Sequence, residues 1–154
     1  MSLFPSRRFK IKTLDEVPGV SRVLAESFPF PEKFRIGIHE LLINAIEHGN
    51  LGIGFEEKTA LLREEKWEEE TRRRMALPEY RDRDVDIRLF KNGAFCCLSI
   101  ADRGNGFLWR EYLRGITSSA RPNGRGLLMV LSCGFDRFAF NASGNRVACA
   151  TRTP

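Results

Sequence analysis

The stretch Phe34–Asn50, FRIGIHELLINAIEHGN, sets the terms for the rest of the chain. Phe34, Ile38, Leu41, Leu42, Ala45 and Ile46 recur at helical spacing and form an apolar stripe. Ile36 and Ile43 lie on roughly the opposite side, so the pattern predicts a helix covered on more than one face. Such a helix needs a sheet and neighbouring helices around it. Glu40 and Asn44 stand one turn apart and stack on a single edge, which Glu47 and His48 extend. A solvated edge is the plain reading of those four residues, and spacing alone favours it. Two glycine clusters far downstream favour a functional one.

The flanking segments read as a mixture of strands and helices. Arg8–Leu14 alternates and predicts an edge strand. A helix is expected from Asp15 or Glu16 to about Ser27, and Pro31 suits the first turn of the central helix. Gly49-Asn50 ends that helix. Phe55–Met75 is dense in charge and free of Gly and Pro, which predicts a solvated helical insert at about 55–76. Glu68, Glu69 and Glu70 stand four residues before Arg72, Arg73 and Arg74, and each such pair supports a helix by about 0.2–0.5 kcal/mol. Its few apolar residues, Leu61, Leu62, Trp67 and Met75, would pin it, and Trp67 could alternatively anchor a docked partner. Asp84–Lys91 alternates, Asn92-Gly93 is a hairpin turn, and Ala94–Ala101 returns as a central strand. No regular pattern is expected across Arg103–Asn123. Gly124-Arg125-Gly126 opens an apolar helix that ends near Gly134. Asp136–Phe140 and Arg146–Thr151 predict a closing hairpin. These elements imply a single α+β domain spanning 1–154, a two-layer α/β sandwich with helices on one face of a mixed, mostly antiparallel sheet.

Composition narrows the function classes. With 42% hydrophobic and 29% charged residues, the chain of 154 residues is long enough for a real core. The formal net charge of +5 is mild and its signs are interleaved, so a nucleic-acid footprint is not indicated. No apolar run approaches the roughly 18 residues of a membrane span. No apolar segment follows the basic Met1–Lys10, so no signal peptide is expected. Cys96, Cys97, Cys133 and Cys149 form no Cys-x-x-Cys pair and lie in apolar segments. They predict buried thiols in a reducing, cytoplasmic setting.

The chemistry-bearing signals are Asp102-Arg103-Gly104-Asn105-Gly106 at a strand end and Gly124-Arg125-Gly126 at a helix start. Gly104 and Gly106 allow a tight turn and close approach of a ligand. Gly124 and Gly126 place free backbone N–H groups where an anion such as phosphate is favoured. Neither cluster is a Walker loop or a dinucleotide fingerprint. Each is weak alone; their order after an E-x-x-x-N helix carries the information.

That order resembles the ATP-binding domain shared by DNA gyrase and the sensor histidine kinases, known as the Bergerat fold. The central helix looks like the N box of that family, and DRGNG and GRG look like its two glycine boxes. The likeness is strongest to the bacterial anti-sigma-factor serine kinases, whose N boxes also read NAI-x-HG, and it spans roughly Glu32 to Thr151. The helical insert resembles that of a subgroup found with response regulators. The resemblance implies ATP and Mg²⁺ as cofactors. Asn44 would hold the Mg²⁺, for which an oxygen-ligating carboxamide is apt. Glu40 would be the general base, and Asp102 would accept a hydrogen bond from the adenine amino group. Guanine offers a carbonyl there, and two acceptors repel. Gly104 and Gly106 would shape the adenine pocket, and Gly124 and Gly126 the phosphate-facing turn, with Arg103–Asn123 as a mobile lid. On charge grounds Arg121 and Arg125 either contact phosphate or sit solvated in that lid. His48 is expected to be a packing residue or one that supports a ligand-contacting neighbour, with no catalytic role.

The implied function is a serine/threonine protein kinase acting on a small protein partner: an antagonist protein, a sigma factor or a response regulator. The alternatives are a non-catalytic ATP-gated interaction module and a nucleic-acid binder, the latter without a groove-entering motif to support it. The sequence leaves a homodimer open. With only His39 and His48, both in the central helix, it offers no separate acceptor histidine.

Overall fold

The computed structural model describes residues 6–118 and 125–154. Among these, the chain is α+β, with a five-stranded sheet and six α-helices. The strands are β1 (Arg7–Ile11), β2 (Val85–Asn92), β3 (Phe95–Ala101), β4 (Arg137–Phe140) and β5 (Arg146–Arg152). Their order is β1-β2-β3-β5-β4, and every described pairing is antiparallel. The expected mixed sheet is therefore corrected to an antiparallel one. Two of the four pairings, β2–β3 and β4–β5, are hairpins, and a hairpin can only be antiparallel.

Alternation divides the sheet into two faces. Ile11, Val85, Ile87, Leu89, Cys96, Leu98, Ile100, Val147 and Cys149 point to one side and are buried. Arg8, Arg88, Ala148 and Arg152 point to the other and are exposed. The buried face shares one core with three helices: α1 (Val17–Ala25), α2 (Pro31–Asn44) and α6 (Arg125–Ser132). Two layers fit this arrangement.

The central helix α2 carries the expected stripe. Phe34, Ile38, Leu41, Leu42, Ala45 and Ile46 are all buried. Gly37 lets α6 come close: a Cβ there would stand 2.6 Å from Cys133 Sγ and 3.5 Å from Val130 Cα. The predicted second covered face is only partial. Ile43 packs at the edge of the core, whereas Ile36 is 48% exposed. The flanks of α2 are taken by α1 and α6, and Ile36 is left between them.

Entry into α1 is fixed by Glu16. Its Oε2 accepts the backbone N–H groups of Lys12 and Thr13, each at 2.8 Å, and these bonds hold its carboxyl below the usual carboxylate range.

The charged insert is two helices rather than one. α3 (Phe55–Arg63) ends in a turn closed by Lys66 N–H to Leu61 O and Glu65 N–H to Leu62 O. Glu65 takes φ +57°, a conformation that usually calls for glycine. The reversal lets α4 (Trp67–Ala76) fold back along α3. Arg74 then reaches Glu70 at 2.8 Å, its own Glu57 partner on α3, and Leu51 O at 3.0 Å. Trp67 is half-buried, with Lys58 Nζ 5.8 Å from its ring centroid.

A second correction falls in Arg103–Asn123. Trp109–Ser118 is a helix, α5, rather than irregular chain. Trp109, Tyr112 and Leu113 face inward at helical spacing, while Arg110, Glu111 and Arg114 are exposed. Residues 119–124 lie outside the described part.

Candidate nucleotide-binding pocket

The central helix changes pitch where it reaches the site. After Asn44 the backbone widens into a π-helical turn, Ala45–Asn50, closed by Leu51 N–H to Ile46 O at 2.9 Å. Such widened turns recur at functional sites because they re-aim side chains. Here the turn brings Gly49 onto the end of β3. A Cβ on Gly49 would lie 2.3 Å from Asp102 Cγ and 2.5 Å from its Oδ2. Asn50 Oδ1 accepts the N–H of Arg103 at 2.7 Å, and Arg83 binds Asn50 O at 2.9 Å.

Asp102 is therefore clamped where β3 ends. Its own N–H donates to Asn145 O at 3.0 Å, and its Oδ1 accepts the N–H of Gly104 at 2.7 Å. Burial pushes its carboxyl up from 3.8 to about 6, against the Gly104 bond and the nearby Arg83 charge. Gly104 sits so near Gly49 O that a Cβ would lie 2.3 Å from it. Gly106 takes φ +80°, and a Cβ there would stand 1.7 Å from Ser143 O. The first glycine cluster is thus a backbone contact that side chains cannot occupy.

Asp102, Gly106 and Asn44 line one pocket. Its floor is Leu41, Ala45, Ile100, Leu127 and Val147, and its rim carries Phe55, Phe107, Tyr112 and Phe140. About 60 Å³ is free between these walls. Asp102 is the carboxylate in a lining that also holds Asn44, His48, Asn145 and Arg146, and apolar walls around an acceptor suit a flat ligand with a hydrogen-bond donor at its edge.

The second glycine cluster meets the other end of the E-x-x-x-N pair. A Cβ on Gly126 would lie 2.7 Å from Glu40 Oε2, so the carboxylate rests against the start of α6. Glu40 also lines a groove between α1 and α2 with Pro18, Ser21, Ile36 and His39. The structure thus gathers Asn44, Asp102 and Gly106 at one pocket, keeps Gly104 against Gly49 and Asp102 without lining it, and sets Glu40 and Gly126 together. Arg121 and Gly124 lie outside the described residues. Arg125 begins α6, and its side chain lies outside them as well.

Glu47 and His48 are not a solvated edge. Glu47 is 1% exposed and pairs with Lys58 Nζ at 2.5 Å. Burial raises its carboxyl, Lys58 opposes that, and Glu40 adds to it. His48 is lowered to about 4, chiefly by burial, and its Nδ1 meets Ile53 O. Its ring centroid stands 4.0 Å from that of Phe55, and it also lines the pocket.

Sequence reasoning missed Phe55, Tyr112 and Asn145. Asn145 Nδ2 donates to Gly104 O at 3.2 Å and so braces the glycine turn. Phe55 and Tyr112 stack at 4.5 Å with 18° between ring planes. The helical spacing of Trp109, Tyr112 and Leu113 could have exposed Tyr112. Nothing local marks Phe55, which opens a segment dominated by charge. Among the described residues, no helix is long and apolar enough to cross a membrane. No protein-family model matches the chain, and no curated protein matches its sequence.

Proposed function

We propose that this chain binds ATP with Mg²⁺ in a Bergerat-type domain and acts as a serine/threonine protein kinase on a small protein partner. The observation that carries the reading is the Asp102 carboxylate, held by Gly49 and Gly104 at the mouth of an apolar pocket that also contains Asn44. An acceptor in a largely apolar pocket selects a base with an amino group at that edge. The carboxamide of Asn44 offers the hard oxygen ligand that Mg²⁺ takes, alongside phosphate oxygens. Glu40 stands one turn earlier on the same helix, where the nucleophile's proton would be received. The start of α6, against which Glu40 rests, offers backbone N–H groups to phosphate.

Calorimetric titration tests this. ATP and ADP bind, GTP does not, and Asn44→Ala removes the Mg²⁺ dependence of ATP binding. Equal affinity for ATP and GTP overturns the assignment. Glu40→Ala retains nucleotide and loses phosphoryl transfer, because the base acts on the nucleophile rather than on the bound ground state. Labelled ATP, supplied with small protein partners from the same cell, reads the transfer. ATP binding without transfer to any of them assigns the chain to a non-catalytic ATP-gated module instead.

A further inference from the structure

The insert is bolted to the pocket. Its first residue, Phe55, lines the cavity, and three residues on, Lys58 pairs with buried Glu47 in the π-helical turn. His48 lies against Phe55, and Tyr112 of α5 stacks on it with nearly parallel planes. Phe107 extends the cluster, 5.9 Å from Tyr112. The pocket's free volume of about 60 Å³ is well under the roughly 150 Å³ of a cavity that admits one benzene ring. A purine entering beside Asp102 comes up against the rings of Phe55 and Tyr112, which line the same pocket. Phe55 is held from behind by the Lys58–Glu47 pair three residues along its helix. Tyr112 belongs to the short helix that follows the glycine turn.

We propose that Phe55 is a ligand-contacting residue that stacks on the base, and that Tyr112 holds that place in this structure and exchanges with it. The proposal rests on the nucleotide reading above. It gives the insert a binding role: one wall of the base pocket is built from the inserted helix rather than from the sandwich. Aromatic stacking on a base tolerates any base, so the carboxylate of Asp102 selects and Phe55 holds.

Three ligands separate the parts: adenosine, ATP·Mg²⁺ and inorganic tripolyphosphate·Mg²⁺. Phe55→Ala weakens adenosine and ATP by about tenfold, as loss of one base–aromatic stack does, and leaves tripolyphosphate unchanged. Phe55→Trp retains both. Tyr112→Ala has the opposite sign and tightens adenosine, because the competing ring is gone. A merely structural role for Phe55 lowers all three ligands together. That result, or unchanged adenosine binding in Phe55→Ala, overturns the proposal. If Phe55→Ala does not fold, Tyr112→Ala decides it: weaker or unchanged adenosine binding refutes the exchange. Failure of the wild-type protein to bind any adenine ligand instead refutes the nucleotide reading on which the proposal stands.

Discussion

Asp102→Asn should stabilise this protein while damaging its pocket. In the folded chain burial raises the Asp102 carboxyl from 3.8 to about 6. The folded state therefore holds its proton more tightly than the unfolded state does. The group's contribution is most favourable below about pH 4, and it is lost as pH rises through 6. A displacement of that size corresponds to about 3 kcal/mol at full weight, and partial exposure of the carboxyl trims it to about 1–2 kcal/mol. Asn is nearly isosteric and neutral. Its Oδ1 can still accept the Gly104 N–H now bonded at 2.7 Å. Urea unfolding at pH 7.5 should show Asp102→Asn about 1–2 kcal/mol more stable than wild type. The gain should shrink as pH is lowered through 6 and vanish near 4. In the same variant adenine selectivity should fall, because Asn presents both a carbonyl and an NH₂ where a pure acceptor stood. A variant less stable than wild type at pH 7.5, or a gain that ignores pH, refutes the claim that the ionised carboxylate is held at a cost.

Gly106→Ala should cost at least about 2 kcal/mol, read by urea unfolding, since a Cβ at φ +80° would overlap Ser143 O. Lys58→Met leaves the Glu47 carboxylate buried without its cation and should cost about 3 kcal/mol at pH 7.5. With Lys58 gone the Glu47 carboxyl rises further, so the loss should narrow as pH falls and the group takes up a proton; an equal loss at pH 5 and pH 7.5 would point to packing alone.

The parts legible in the sequence are those with a local physical signature. The stripe from Phe34 to Ile46 repeats at helical spacing, and all six of its residues are buried. Asn92-Gly93 marks a turn, and β2 and β3 pair antiparallel from Asn92↔Phe95 onward. The glycine turn after Asp102 is likewise written in its residues. What escaped depends on contacts made across the chain. The Glu65 reversal uses a residue with no glycine-like signal, so α3 and α4 read as one helix. Glu47 looks like surface beside His48 until Lys58, eleven positions away, comes to cover it. The widened turn at Ala45–Asn50 has no sequence mark either; it accompanies the close approach of Gly49 to Asp102.

The two histidines bear on where a phosphoryl group could go under the proposed reading. His48 is buried, lowered to about 4, bonded through Nδ1 to Ile53 O, and covered by Phe55. Such a ring is neutral and fixed, and an attack on phosphorus needs a nucleophile that can approach in line. His39 is half-buried and lines the α1–α2 groove beside Glu40, although the two are about 100° apart around the helix. Both histidines are carried by the same rigid stretch of backbone that holds Glu40 and Asn44, so neither can travel toward a nucleotide that those residues position. Thr117 and Ser118 end α5, and Ser119 lies outside the described residues. The groove that exposes Glu40 opens outward between α1 and α2. Under the proposed reading the acceptor is therefore a serine or threonine carried by another protein.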